Sequence, residues 1–465
     1  MFENLTAVLK KSGFVPYPDS LRDIEGGKIF VARRGGEKLV GIVGNLHGLS
    51  SPTLTEKLPT GETVRLYPLD WANYQALKRL LPITPSPCDR EASFGTGDRL
   101  GIASAAHLEV LQRYPVFPVI AQQSPRELQK CNRDFQDVLL KAVLGVLETG
   151  FTGAFGADAD HIKDEEHLMM GARADYSMYT LDVSDWLQDP TGKSADSLST
   201  LSRKIVADRA GMKVTGNYTI SEEELLKSAL IYEQSMTQVL RFHKMLKGEL
   251  AEFDLEVSID EGARDTTVED HLFTAEFLHR NGIDFTSLAP KFPGQFQKGV
   301  DYEGDVNELA RSLDLHAALC REMGGYRLSL HSGSDKFSIY PMFADTTGGE
   351  FHIKTSGTSW LQAVKVVAMQ NLPLFMELYS LCLDNLEGSK KAYHVKITHA
   401  DFPDEIPADV MTFYARPDVR QLFHISYGVL LDHKKTEIFD ILYTHEPEHY
   451  AAVSSHIEEH LKLLF

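Results

Sequence analysis

From about Ser93 onward the chain repeats one pattern: a short apolar run, a polar turn, then a stretch of helical periodicity. This alternation constrains the fold strongly, because a helix that returns the chain lets the next strand run parallel to the last. Candidate strands fall at 92–94, 117–121, 153–156, 178–182, 254–259, 285–289, 326–330 and 350–354. Helical patterns at 104–114, 126–149, 268–280, 306–323 and 359–386 lie between or after them, with Ser124, Thr266-Thr267 and Thr358 as candidate N-caps. A long amphipathic run at 221–250 interrupts the series between the fourth and fifth strands. Eight strand–helix units in about 300 residues predict an α/β fold, a (β/α)8 TIM-like barrel. An open doubly wound sheet is the alternative, but no Gly-x-Gly-x-x-Gly turn follows the first strand and no Walker-type G-x-x-x-x-G-K-[ST] loop occurs.

Residues 1–90 have a different texture. The runs at 28–33 and 39–43, joined through Gly35-Gly36, read as a β-hairpin, and Pro82-Ile-Thr-Pro-Ser-Pro87 reads as a stiff linker. We therefore expect a β-rich N-terminal cap over 1–90 and a catalytic barrel over 91–465, with a helical insertion near 190–250.

In a parallel barrel the residues just after each strand meet the ligand. The seventh strand ends in His331-Ser-Gly-Ser334-Asp335-Lys336, the eighth carries His352 and Lys354, and the third leads into Asp158-Ala-Asp160-His161. A lone buried histidine is more often hydrogen-bonded filler than a ligand; three at three strand ends point to a polar, metal-capable site. Asp160 and His161 could bind a divalent ion or supply a general base beside one. Glu256, Ser258 and Asp260 alternate along the fifth strand and so share its inward face, where a buried glutamate needs a cation or hydrogen bonds. Asp98 and Arg99 after the first strand and Gln123 after the second are candidate substrate contacts. So are Lys291 after the sixth, Ser334 and Lys336 after the seventh, and Lys354. Gln295, Gln297 and Lys298 also suit an anionic or hydroxyl-rich substrate. His271, His279 and His316 lie on predicted helices and are assigned to structure.

A formal charge of −19 argues against nucleic-acid or anionic-membrane partners. No run of apolar residues is long enough to span a bilayer, and no signal peptide is visible at Met1-Phe-Glu-Asn. Four widely spaced cysteines without a CxxC pair fit a reducing cytoplasm. The expected partner is a small-molecule sugar acid, and the sequence leaves the oligomeric state open.

Several segments together resemble the tagaturonate epimerase family of hexuronate catabolism. They are Gly97-Asp98-Arg99-Leu-Gly, Ala157-Asp-Ala-Asp160-His161, Val257-Ser-Ile-Asp260-Glu261 and Leu288-Ala-Pro-Lys291-Phe, with Gln295-Phe-Gln-Lys298-Gly, His331-Ser-Gly-Ser-Asp335-Lys336 and His352-Ile-Lys354-Thr-Ser-Gly-Thr358. The resemblance runs from about residue 94 into the C-terminal region. It implies an isomerase, an epimerase interconverting D-tagaturonate and D-fructuronate with one divalent cation (Zn, Mn, Ni, Co or Fe). It also implies Asp160 as proton acceptor, Glu261 as proton donor, and His161, His331 and His352 as metal ligands, with Glu256 and Asp260 as alternatives for an acid or ligand. The two ketouronates differ at C4, which is not α to the C2 ketone, so retro-aldol cleavage and religation is the expected route. A metal-dependent sugar aldolase or ketose isomerase, and a noncatalytic carbohydrate-binding barrel, are the competing readings.

Overall fold

The computed structural model describes residues 1–215, 218–391, 393, 395–403 and 405–465. Its N-terminal part forms a six-stranded antiparallel sheet: β1 (Val15–Pro16), β2 (Arg22–Ile24), β3 (Gly27–Arg34), β4 (Glu37–Gly44), β5 (Leu54–Lys57) and β6 (Thr63–Tyr67). The path runs β1-β3-β4-β6-β5, with β2 paired to β3. The predicted hairpin is β3–β4, in register from Gly27 opposite Gly44 to Arg34 opposite Glu37. Phe30, Ala32, Leu39, Val43, Val64 and Leu66 bury one face with Leu5 and Leu9 of the first helix, which burial of apolar area favours.

Eight further strands close a barrel: β7 (Ser93–Thr96), β8 (Phe117–Gln123), β9 (Gly156–Ile162), β10 (Met178–Asp182), β11 (Asp254–Ser258), β12 (Ser287–Ala289), β13 (Arg327–Leu330) and β14 (Phe351–Thr355). The order follows the chain, and β14 returns to β7. The TIM-like barrel and the β-rich N-terminal sheet are therefore both present.

Local deviations have local causes. The 126–149 pattern is two helices, Pro125–Cys131 and Phe135–Glu148, because Asn132 adopts a left-handed conformation that ends the first. The 359–386 pattern breaks between Thr358–Gln370 and Leu372–Asp384, where Asn371 leaves helical geometry and caps the second helix ahead of Pro373. Thr267, within the predicted Thr266-Thr267 pair, forms a capping box with Asp270, whereas Gly357 precedes the helix expected to be capped at Thr358.

The chain divides into two units, each entered three times. The first (1–85, 96–155 and 356–459) holds the antiparallel sheet, β8 and the C-terminal helices. It has its own core around Trp360, Phe375, Tyr379, Phe413, Phe423 and Tyr427. The second (86–95, 156–355 and 460–465) holds most of the barrel and the Thr200–Arg209 and Glu222–Glu249 helices, which fill the predicted insertion. Among the described residues no helix is long and apolar enough to cross a membrane.

Candidate active site

The second unit gathers a charged cluster from β9, β10, β11 and β14 and from the residues just past β11 and β13. Its centre is Lys354, on β14 and 2 % exposed. The ammonium lies 2.7 Å from Asp158, 2.7 Å from Asp160 and 3.0 Å from Glu256, and also donates to the Thr180 hydroxyl. Burial alone would lower the lysine's pKa, but the three carboxylates raise it well above its ordinary value, so Lys354 is a fixed cation. In return, and against the opposing effect of burial, Lys354 holds Asp160 well below the usual carboxylate range. Asp158 is different: burial pushes it up to about 6 despite Lys354. Thr180 donates to Asp158 at 2.9 Å, which completes the shell around the deeper carboxylate.

Glu256 links this group to the seventh strand. One of its oxygens meets His331 Nε2 at 2.5 Å and the other accepts from Ser287 at 2.5 Å. The cation and hydrogen bonds that an inward glutamate requires are thus Lys354, His331 and Ser287. His331 Nδ1 lies 3.3 Å from Asp260, so the imidazole stands between two carboxylates. Burial would depress its pKa, but Asp260 and Glu256 outweigh that and push it up to about 10.

His161 occupies an unusual position. β9 begins three residues later than its apolar pattern suggested, so Asp158 and Asp160 lie within the strand and not in the loop beyond it. The β9–β10 register shifts between Tyr179 and Leu181, and His161 takes a positive φ of 50°. This bulge lets Asp160 and His161, adjacent in sequence, both serve the site. His161 Nδ1 meets Asp182 at 3.2 Å, and its ring lies 4.8 Å from that of His331 between centroids. Although burial opposes it, Asp160 and Asp182 raise the pKa of His161. Donor atoms of His161, Asp182 and Glu261 all lie within 4.8 Å of one another, and Lys163 approaches Asp182 at 3.3 Å and Glu261 at 3.2 Å.

His352 shares the inward face of β14 with Lys354 but stands two residues earlier, about 6–7 Å further down the strand. Its Nδ1 meets Ser93 at 2.8 Å, while its Nε2 is buried without a hydrogen-bond partner. Burial pushes this imidazole down to about 3, which leaves it neutral and able to donate a lone pair.

The other expected contacts have defined surroundings. Lys291 donates to the Gly262 carbonyl at 2.8 Å. Lys336 Nζ donates to the carbonyls of Gln297, Val300 and Ser334 at 2.9, 2.6 and 2.8 Å. In the first unit, Asp98 accepts from the amides of Gly101 and Ala103, Arg99 pairs with Glu127 at 2.8 Å, and Gln123 accepts from Arg133 at 3.3 Å. The turn after β13 is shaped by Gly333, where a Cβ would lie 2.7 Å from Ile353 and 3.0 Å from the Lys354 carbonyl. Behind it, His460 accepts from the Asp335 amide at 3.1 Å and packs edge-on against Phe337.

Asp158, Thr180, Asp182, Lys163 and His460 were not assigned to the site from sequence. The alternation Asp158-Ala-Asp160 carried a usable signal, since it places both carboxylates on one strand face. His460 carried none, being distant in sequence from everything it supports.

A cluster of buried carboxylates, imidazoles and one lysine at the mouth of a parallel barrel can hold a cation and move protons at a polyhydroxylated substrate. Comparison with known proteins identifies the family. The family model described as tagaturonate epimerase matches residues 17–464. A tagaturonate/fructuronate epimerase of Thermotoga maritima is 36% identical over 467 residues, covering 97% of each chain. A glycerol-complexed crystal structure of the fructuronate-tagaturonate epimerase of Cohnella laeviribosi has a TM-score of 0.90 at 32% identity, covering 98% of this chain and 97% of that one. The native structure of the same enzyme has the same TM-score, identity and coverage. The chain belongs to the tagaturonate epimerase family, and so to the carbohydrate epimerases.

Proposed function

We propose that this protein interconverts D-tagaturonate and D-fructuronate by inversion at C4, using a divalent cation. The observation that carries the reading is the Lys354-centred cluster, in which Asp160 is kept ionised and therefore able to accept a proton. In the direction that begins with Asp160, its carboxylate takes the proton of the C4 hydroxyl. The C3–C4 bond then breaks, its electron pair passing toward the C2 carbonyl to leave an enediolate and a three-carbon aldehyde acid. After the aldehyde turns its other face, C3 adds back to C4, and Glu261 protonates the new C4 alkoxide. The reverse direction exchanges the two proton roles. Lys354 stays charged throughout and orients Asp160.

The donor set fits a divalent cation. Six carboxylates (Asp158, Asp160, Asp182, Glu256, Asp260 and Glu261) face two lysines, Lys163 and Lys354, and the elevated pKa values of His161 and His331 mark places where positive charge is favoured. His161, His331 and His352 are the proposed imidazole ligands; the buried, unpartnered Nε2 of His352 supports its place among them, and Asp182 adds a carboxylate oxygen beside His161. When bound, such an ion supplies a Lewis acid for substrate oxygens. The cytoplasm is the proposed location, in keeping with free cysteines at Cys88, Cys131, Cys320 and Cys382.

Purified protein should convert either ketouronate into the other, and borohydride quenching should capture a reduced three-carbon acid. Exhaustive chelation, checked by elemental analysis, should reduce turnover at least a hundredfold, with recovery on adding one divalent metal. Full activity in metal-free protein would defeat the metal assignment. Turnover with no trappable fragment and no isotopic exchange between fragments would count against C3–C4 cleavage.

A further inference from the structure

His271 and His316, assigned to structure from their helical positions, lie buried on the Val268–Arg280 and Val306–Met323 helices. Their Nδ1 atoms are 2.9 Å apart and the rings stack, 5.1 Å between centroids. Two N–H groups cannot face each other across that distance, so a single proton lies between the rings. At the outer ends, His271 Nε2 meets the Tyr326 hydroxyl at 2.7 Å and His316 Nε2 meets the Thr266 carbonyl at 3.2 Å. Burial keeps both imidazoles neutral, His316 being pushed down to about 4. A carbonyl only accepts, so His316 carries its proton on Nε2 and accepts at Nδ1 from His271. His271 is then protonated on Nδ1, and its Nε2 accepts from Tyr326. The hydrogen bonds run one way, from Tyr326 through both histidines to the Thr266 carbonyl. Aromatic rings flank the chain: Phe292 packs edge-on to His316 at 5.7 Å, and Phe285 lies 4.4 Å from Tyr326. Apolar side chains would fill this space without the cost of burying polar groups. What the polar chain adds is a fixed, directional partner for Thr266.

Thr266 belongs to the loop between β11 and the Val268–Arg280 helix, the loop that carries Asp260 and Glu261. It clasps Lys291, two residues past β12. Its amide donates to the Lys291 carbonyl and its hydroxyl accepts from the Lys291 amide, both at 2.9 Å. The Lys291 ammonium in turn donates to the Gly262 carbonyl at 2.8 Å, one residue past Glu261. The loop is thus held beside Glu261 by Lys291, and Lys291 is held by Thr266. We propose that Tyr326, His271 and His316 are positioning residues for Glu261, acting through Thr266 and Lys291 on the loop that bears it. This inference rests on the epimerase reading above, in which Glu261 moves the proton at C4.

Two measurements on the metal-loaded enzyme test it. Histidine-selective 15N NMR at pH 7 should find both rings neutral, with the proton on Nδ1 of His271 and on Nε2 of His316. Either ring charged, or in the other tautomer, would overturn the inference. The second measurement is turnover of D-tagaturonate, expressed per folded molecule from circular dichroism. H316L should lower kcat about ten- to hundredfold, up to the cost of misplacing a reacting group by about 1 Å, while KM changes less than about threefold. H316Q, whose amide can still donate to the Thr266 carbonyl, should return to within about threefold of wild type. Y326F, which keeps the ring, should lose about three- to tenfold, the range for one neutral hydrogen bond. In an E261Q background H316L should cost less than about threefold, because the group it positions is already gone. If H316L does not fold, Y326F takes its place in this cycle. Losses of H316L and E261Q that multiply would overturn the inference, as would equal turnover in H316L and H316Q. Undiminished turnover in E261Q would overturn it too, and leave the epimerase reading standing. Wild type inactive on both ketouronates overturns the epimerase reading, and this inference with it.

Discussion

Lys354 carries the largest electrostatic load of any single residue in the site. It is the counter-ion of Asp158, Asp160 and Glu256, all within 3.0 Å. Removing one partner from a buried ionic group leaves the others uncompensated, at a cost of roughly 3–5 kcal/mol. Lys354→Met should therefore lower the unfolding free energy by about that amount in urea titrations, as well as abolish turnover; a loss under about 1 kcal/mol would mean that the carboxylates are held by something else. Sequence alone went part of the way to this cluster. The alternation in Glu256-Val-Ser258 placed a glutamate inside the barrel and showed that it needed a cation. The partner lies almost a hundred residues further on, and no local pattern names it. Asp158 and Asp160 read as residues just past a strand ending at 156, because two acids interrupt the apolar run that marks a strand until the lysine that neutralises them is in view.

At the scale of elements, the strands that are wholly apolar or regularly alternating were legible to within one or two residues. β10 matched its expected limits, and the Val268–Arg280 and Val306–Met323 helices matched theirs. The exception is β9, where polar strand residues and a bulge displaced the apparent end. Its bulge also offers a test. His161 has φ of 50°, in a region that costs a residue with a Cβ about 1 kcal/mol or more and costs glycine little. Both His161→Gly and His161→Ala lose the ring and its contact with Asp182, so their difference isolates the backbone. The glycine variant should be the more stable by about 1 kcal/mol in paired denaturant titrations. If alanine equals or exceeds it, the bulge relaxes when the imidazole is gone. The two helix breaks, at Asn132 and Asn371, leave no mark in the sequence beyond a single asparagine within a continuing apolar periodicity.

For the molecule as a whole, the barrel was readable because eight repeats of one pattern leave few alternatives, whereas the membership of the two units was not. The helices beyond residue 400 carry no chemistry in their sequence. They belong to a unit that also contains the N-terminal sheet, and the chain crosses between units five times. That interleaving bears on how the enzyme becomes active. Phe94, on the first barrel strand, and His460, which supports the turn bearing His331, meet edge-on at 6.0 Å although hundreds of residues separate them. Closing so long a loop is entropically costly, and contacts of such wide sequence separation slow folding. Helices and hairpins form from neighbours and need not wait for it. After dilution from denaturant into metal-containing buffer, far-ultraviolet circular dichroism should recover first and epimerase activity later. A variant that weakens the late contact, such as His460→Ala, should lengthen that lag. Coincident recovery of the two signals would mean that the distant ends find each other early, and that the turn bearing His331 is among the first parts of the chain to settle.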